Sequence, residues 1–136
     1  MDLERELLKG NTPTLVLAVL RDGPQHGYAI ARAIERRSEQ ALRCREGTLY
    51  PALHALERDG LIAGEWQPGA AGRERKVYRL TPAGAAALEE RARAWERFAG
   101  AVHRVLAGES EEGSDAVSEP AGRRGGIRPA PGPQPA

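Results

Sequence analysis

Apolar residues recur along this chain at helical spacing in five stretches, and between the last two of these they switch to the alternation of a hairpin. Residues Asp2 to Lys9 carry Leu3, Leu7 and Leu8 as a stripe, and Gly10-Asn11 is expected to interrupt that helix. Thr12-Pro13 reads as an N-cap followed by proline at the first helical position. It opens a buried segment through Leu15, Val16, Leu17, Ala18, Val19 and Leu20. After the turn Arg21-Asp22-Gly23-Pro24, His26-Gly27-Tyr28 leads into a helix with Tyr28, Ala31 and Ile34 on its inner stripe, widened by Ala29, Ile30 and Ala33. Arg32, Glu35, Arg36 and Arg37 take the outer positions.

The stretch from Gly47 to Ile62 organises the rest. At about 100° per residue, Leu49, Ala52, Leu53 and Leu56 gather on one side, and Tyr50, His54 and Arg58 line the other. Pro51 is compatible with this helix if Thr48 or its neighbour is the N-cap, because the first-turn N–H groups have no intrahelical partner. Asp59-Gly60 supplies the glycine that ends it. Two successive helices, each with an apolar inner face and a polar outer face, form the helix-turn-helix plan.

Leu61 to Gln67 and Arg73 to Leu80 read as two strands around Pro68-Gly69-Ala70-Ala71-Gly72. Arg75, Val77 and Arg79 share one face, opposite Lys76, Tyr78 and Leu80. With Arg73, Arg75, Lys76 and Arg79 against Glu74, this is a basic hairpin directly after a recognition helix, the position of a wing. Thr81-Pro82 then opens the longest helix, to about Leu106 or Ala107. Its residues Ala85, Leu88, Ala92, Trp95, Ala99, Val102 and Leu106 alternate spacings of three and four, the seam of a coiled coil, broadened by Phe98 and Val105. At 1.5 Å per residue it extends roughly 37 Å, more than so small a domain needs for its own core. A second copy of the chain is expected to cover the seam.

The fold class is therefore mainly α with a small β-hairpin: a winged helix-turn-helix over residues 1–80 and a dimerisation helix over 81–107. Residues 108–136, rich in Glu, Ser, Gly and Pro, are expected to be a disordered tail. Composition narrows the reading further. With 136 residues, 40% hydrophobic and 4% aromatic, the core must be built mainly from Leu, Ile, Val and Ala. A formal charge of +1 leaves any nucleic-acid reading dependent on where the charges sit. The lone Cys44 excludes an internal disulfide and suits a reducing cytoplasm. No apolar run nears the ~20 residues of a membrane span, and Met1-Asp2-Leu3-Glu4 is unlike a secretory signal, so no membrane partner is expected and the location is cytoplasmic.

In order and at this spacing, His26-Gly27-Tyr28, Gly47-Thr48-Leu49-Tyr50-Pro51-Ala52-Leu53, Leu56-Glu57-Arg58-Asp59-Gly60-Leu61-Ile62 and Tyr78-Arg79-Leu80-Thr81-Pro82-Ala83-Gly84 resemble the PadR family of transcriptional regulators. The likeness covers roughly residues 7 to 106 and points to the shorter class with one long C-terminal helix. It implies a homodimer joined through those helices that binds double-stranded DNA at a palindromic operator, usually to repress. DNA binding is implied by the resemblance; the helix order, basic hairpin and seam follow from the residues themselves. The alternative is a winged-helix interaction module that binds protein and no specific DNA.

On the DNA reading, Thr48, Tyr50 and His54 face the groove with Arg58 near its edge, and Arg73, Arg75, Lys76 and Arg36 or Arg37 contact phosphates. Tyr50 has a second reading, partial burial against the preceding helix. The expected dimer interface is Leu88, Ala92, Trp95, Ala99, Val102 and Leu106. In some relatives aromatic residues on this helix line a cavity between subunits and stack on flat or cationic molecules. Here Trp95 and Phe98 would hold such a small aromatic or cationic effector, and the other reading of Trp95 is a dimer anchor. Cys44 beside Arg43 and Arg45 reads as an inert thiol rather than a redox sensor. His26, His54 and His103 lack metal-ligand spacing, and Glu46 and Glu57 lack a nucleophile or cofactor motif beside them. No cofactor, metal or enzymatic activity is expected.

Overall fold

A computed structural model describes residues 3–109. Its elements run α1 (Leu3–Leu20), β1 (Gln25–His26), α2 (Gly27–Arg37), α3 (Glu46–Arg58), β2 (Ile62–Pro68), β3 (Glu74–Leu80) and α4 (Pro82–Ala107). The chain divides into two compact units, residues 1–95 and residues 96 onward. The expected tail lies outside the described residues from position 110.

In the first unit three helices pack around a three-stranded antiparallel sheet of order β1-β3-β2. β2 and β3 form the hairpin, from Ile62 opposite Leu80 to Pro68 opposite Glu74. β1, absent from the sequence-based reading, pairs Gln25 with Tyr78 and His26 with Val77. Two residues are too short for a periodicity signal, and the pairing fastens the start of α2 to the wing. The core joins Val16, Leu17 and Leu20 of α1 to Ile30, Ala33 and Ile34 of α2 and to Leu49, Leu53 and Leu56 of α3, with Ile62, Tyr78 and Leu88 closing it. Tyr78 is its one aromatic, in keeping with the composition.

Three local details differ from the sequence-based expectation. α1 is one helix through Gly10-Asn11 and Pro13, because Leu8, Thr12, Val16 and Leu20 form a continuous buried stripe at four-residue spacing. Thr12 does not cap. Its Oγ1 donates to the Leu8 carbonyl at 2.8 Å, and Asn11 Nδ2 donates to the Leu7 carbonyl at 2.8 Å. α3 begins at Glu46 with Arg45 as N-cap, so Pro51 stands in its second turn. The carbonyl that Pro51 leaves without an N–H partner belongs to the exposed Gly47, which water can reach. Tyr28, placed on the inner stripe of α2, is 62% exposed; Gly27, Ile30, Ala33 and Ile34 are the buried face.

The end of α3 follows its sequence closely. Gly60 takes φ +78°, its N–H reaches the Glu57 carbonyl, and the Leu61 N–H reaches the Leu56 carbonyl at 2.9 Å. These are the paired bonds of a Schellman stop. From there the chain enters β2 and the wing. At the other end of the wing, Thr81 caps α4 by accepting the Gly84 N–H at 3.0 Å while its hydroxyl donates to the Gly60 carbonyl at 2.7 Å. The Thr81 N–H reaches the Leu61 carbonyl at 3.2 Å. Gly84 fits against that carbonyl: a Cβ there would lie 2.0 Å from its oxygen. The Thr-Pro-Ala-Gly sequence thus locks the root of the wing to the stop of α3.

Candidate nucleic-acid interface

α3 docks on the core through Leu49, Ala52, Leu53 and Leu56, all buried, which leaves its opposite face outward. Thr48 on the first turn is half-buried, and His54 and Arg58 are exposed. Tyr50 is on the border. Its ring lies against the start of α2, where a Cβ on Gly27 would meet its hydroxyl at 2.8 Å, while the side chain keeps 37% of its surface open. Tyr50 is thus partly buried against α2, with the rest of its surface open. Arg58 leans on Asp59 at 3.3 Å, an exposed pair that contributes little energy and leaves the guanidinium free to exchange partners.

The cations expected to flank this helix separate into two groups. Arg36, Arg73 and Arg75 are exposed and have no carboxylate partner among the described residues. Arg37 is engaged with Asp22 across the α1–α2 turn. Lys76 departs from the expectation. It lies on the Tyr78 face of β3, where its ammonium donates to Glu57 Oε1 at 3.0 Å and sits 5.5 Å from the Tyr78 ring and 5.8 Å from the Trp66 ring. The hydrogen bond to Glu57 holds its pKa above the ordinary lysine value despite partial burial. Lys76 thus braces the wing against α3 through Glu57. The period-2 alternation placed it opposite Arg75, but Glu57 was invisible from that pattern.

On the basic outer face of α2 that the sequence indicates, the structure adds Tyr28 beside Arg32. Tyr28 and Arg32, one turn apart on α2, pair through a hydrogen bond from Arg32 Nη1 to the Tyr28 hydroxyl at 3.1 Å, with the guanidinium 5.6 Å from the ring. The ring of His26 runs parallel to Tyr28, 6.5 Å away between centroids. Burial, and then the charge of Arg75, lower the His26 pKa. The start of α2 and the wing therefore share one electrostatic surface. The i, i+4, i+8 spacing of Tyr28, Arg32 and Arg36 was the available signal, overridden by the apolar reading of tyrosine.

Along α4, Leu88 corrects the expected dimer interface. It is 3% exposed within its own chain's core and is not available to a partner. Ala92 is exposed, Ala99 and Val102 are half-buried, and Trp95 (46%), Phe98 (66%), Val105 and Leu106 (76%) present large apolar surface. Cys44 is buried, and desolvation followed by the nearby Glu35 charge pushes its thiol pKa up. Arg43 and Arg45 do not offset this. Among the described residues no cluster of His, Cys, Asp or Glu is arranged to hold a metal ion, and no helix is long and apolar enough to cross a membrane.

Known proteins share this architecture. The model of the transcriptional regulator PadR-like family matches residues 16–90. The transcriptional regulator Rv3488 of Mycobacterium tuberculosis is 42% identical over 106 residues, covering 78% of this chain and 92% of that protein. Among solved structures, a PadR family transcriptional regulator from Eggerthella lenta superposes with a TM-score of 0.66 at 34% identity, over 76% of this chain and 88% of its own. Bacillus subtilis PadR, solved in complex with operator DNA, superposes with a TM-score of 0.53 at 27% identity, over 57% of this chain and 44% of its own. The family match spans more than half the chain, and the mycobacterial relative extends it over most of both proteins. This chain belongs to the PadR-like family of transcriptional regulators.

Proposed function

We propose that this protein is a homodimeric, sequence-specific DNA-binding regulator that represses transcription from a palindromic operator. The observation that carries the reading is the outer face of α3: Thr48, Tyr50 and His54 stand on a helix fixed by four buried residues, while Arg36 of α2 and Arg73 and Arg75 of the wing are exposed with no carboxylate partner among the described residues. A rigid helix of this size fits the major groove, and flanking guanidinium groups suit the phosphates at its edges. The operator complex of Bacillus subtilis PadR supports the same use of this fold. Tyr28 and Arg32 extend the phosphate-facing surface beyond the residues expected from sequence.

The exposed stripe of α4 supports dimerisation. Trp95, Ala99, Val102 and Leu106 form a stripe whose outer members are largely uncovered in one chain, and burying it against a second copy removes that apolar surface from water. Trp95 is the expected anchor. The exposed rings of Trp95 and Phe98 also favour a second layer of control, a flat or cationic effector stacked between subunits that alters operator affinity. Such a regulator works in the cytoplasm, where its operator is.

Equilibrium binding to duplex DNA over a salt series tests the reading. Arg75→Ala should weaken every duplex by the same factor and make the slope of log affinity against log salt shallower by about 0.9. His54→Ala should change which duplex binds best and keep the slope. A folded dimer that binds no duplex even at low salt would assign the basic face to protein contacts instead.

A further inference from the structure

Ahead of the recognition helix the chain forms a cleft of about 390 Å³ between the first turns of α1, the α2–α3 connection and the first turn of α3. Arg5, Arg43 and Arg45 line it, with Gln40 and Thr48 as further polar walls and Leu8 at its base. Burial of Cys44 sets this arrangement. Cys44 is buried while Arg43 and Arg45 on either side of it are exposed. The connection is held from both ends, by the bond from the Leu42 N–H to Ser38 Oγ at 3.0 Å and by the Arg45 carbonyl, which accepts the Thr48 and Leu49 N–H groups. Among the described residues neither Arg43 nor Arg45 has a carboxylate partner, and Glu46, the acidic residue of the first turn, does not line the cleft.

The N-terminus of α3 adds to this field. Arg45, its N-cap, makes no side-chain capping bond, so the Glu46 and Gly47 N–H groups at the start of this 13-residue helix have no capping oxygen among the described residues. Guanidinium forks and helix N–H donors suit the same ligand chemistry, a tetrahedral oxyanion.

We propose that this cleft binds a phosphoryl group. On the duplex-binding reading above, on which this rests, the group is a backbone phosphate beside the groove that α3 enters, since Thr48 belongs both to the cleft wall and to the groove-facing residues. The cleft then sets how deeply the start of α3 sits, a role separate from that of the wing.

The test uses the full-length double variant Arg43→Gln, Arg45→Gln, with its melting curve and oligomeric state compared with the parent. Duplex binding is followed by fluorescence polarisation from about 50 to about 200 mM salt, on the best duplex and on a scrambled one. The expected result is equal weakening on both, with a salt slope shallower by about 0.9 for each phosphate no longer neutralised, so that affinity falls about 3.5-fold less across that range per phosphate. Parental affinity and slope in the double variant, with Arg75→Ala still weakening binding, would overturn the cleft and leave the duplex reading in place. If the parent binds no duplex, titration of inorganic pyrophosphate decides. One-site binding that disappears in the double variant assigns the cleft to a free phosphate ligand, and no binding overturns it.

Discussion

Replacing Gly84 by alanine adds one methyl group at the point where the wing root, the end of α3 and the start of α4 meet. The new Cβ would stand 2.0 Å from the Leu61 carbonyl oxygen and 2.8 Å from Leu80 Cδ1, and an ordinary contact begins near 3.4 Å. Backbone cannot yield as a flexible side chain does, so α4 and the wing root must separate. That movement strains the bond from the Thr81 N–H to Leu61 and the Thr81 cap on Gly84, each worth about 1 kcal/mol. Overpacking adds about 1–3 kcal/mol, and the better helix propensity of alanine returns at most about 1 kcal/mol. The net expectation is a loss of about 2–4 kcal/mol. At about 4–8 °C per kcal/mol for a domain of this size, the melting temperature should fall by roughly 10–25 °C. Gly10→Ala is the control, since nothing lies within 4 Å of a Cβ there and the position is inside α1. It should gain about 0.5–1 kcal/mol. Thermal unfolding by circular dichroism at one fixed protein concentration measures both, because the midpoint of a protein that self-associates depends on concentration. A Gly84→Ala protein as stable as the parent would refute the reasoning.

Lys76→Met retains the stem over Tyr78 and loses the bond to Glu57, so stability should fall by about 1 kcal/mol or less while the salt slope of duplex binding stays unchanged. A slope shallower by about 0.9 would place Lys76 on a phosphate after all. Burial and Arg75 depress the His26 pKa in the folded chain. Above about pH 6.5 both states hold it neutral, and below that the unfolded chain takes up the proton first, so folded stability falls with pH. His26→Gln should remove part of this acid-side loss, and an unchanged pH profile would contradict the assignment. The buried, pKa-raised thiol of Cys44 should react with a thiol reagent far more slowly in the native protein than in denaturant, whereas rapid native labelling would reopen a sensor role.

The elements that read clearly from sequence are those whose side chains repeat with a long, unmixed period. α3 shows its inner face in Leu49, Ala52, Leu53 and Leu56 and its stop in Asp59-Gly60, and the structure places both there. The hairpin was visible in its alternation and its glycine-rich turn. α1 was misread at Pro13 because capping residues and an interior kink look alike locally; the buried stripe from Leu8 to Leu20 decides between them only once the partners of that face are present. In the same way Leu88 fits the spacing of an intersubunit seam, but α4 begins against the core and gives that residue to its own chain. The Glu57 pairing of Lys76 was not legible because the partner is distant in sequence, and Tyr28 was misplaced because its residue type has two uses, an apolar ring and a polar end. The arginine cleft needed three segments brought together, which no local pattern announces.

The most direct test of the central claim is selection of bound duplexes from a random library by the purified full-length protein at recorded salt. A homodimer that inserts one α3 per half-site should enrich an inverted repeat with centres about 10–10.5 base pairs apart, or a multiple of that spacing. A protein shown to be folded and dimeric that enriches no motif, or only an isolated half-site, would contradict the account.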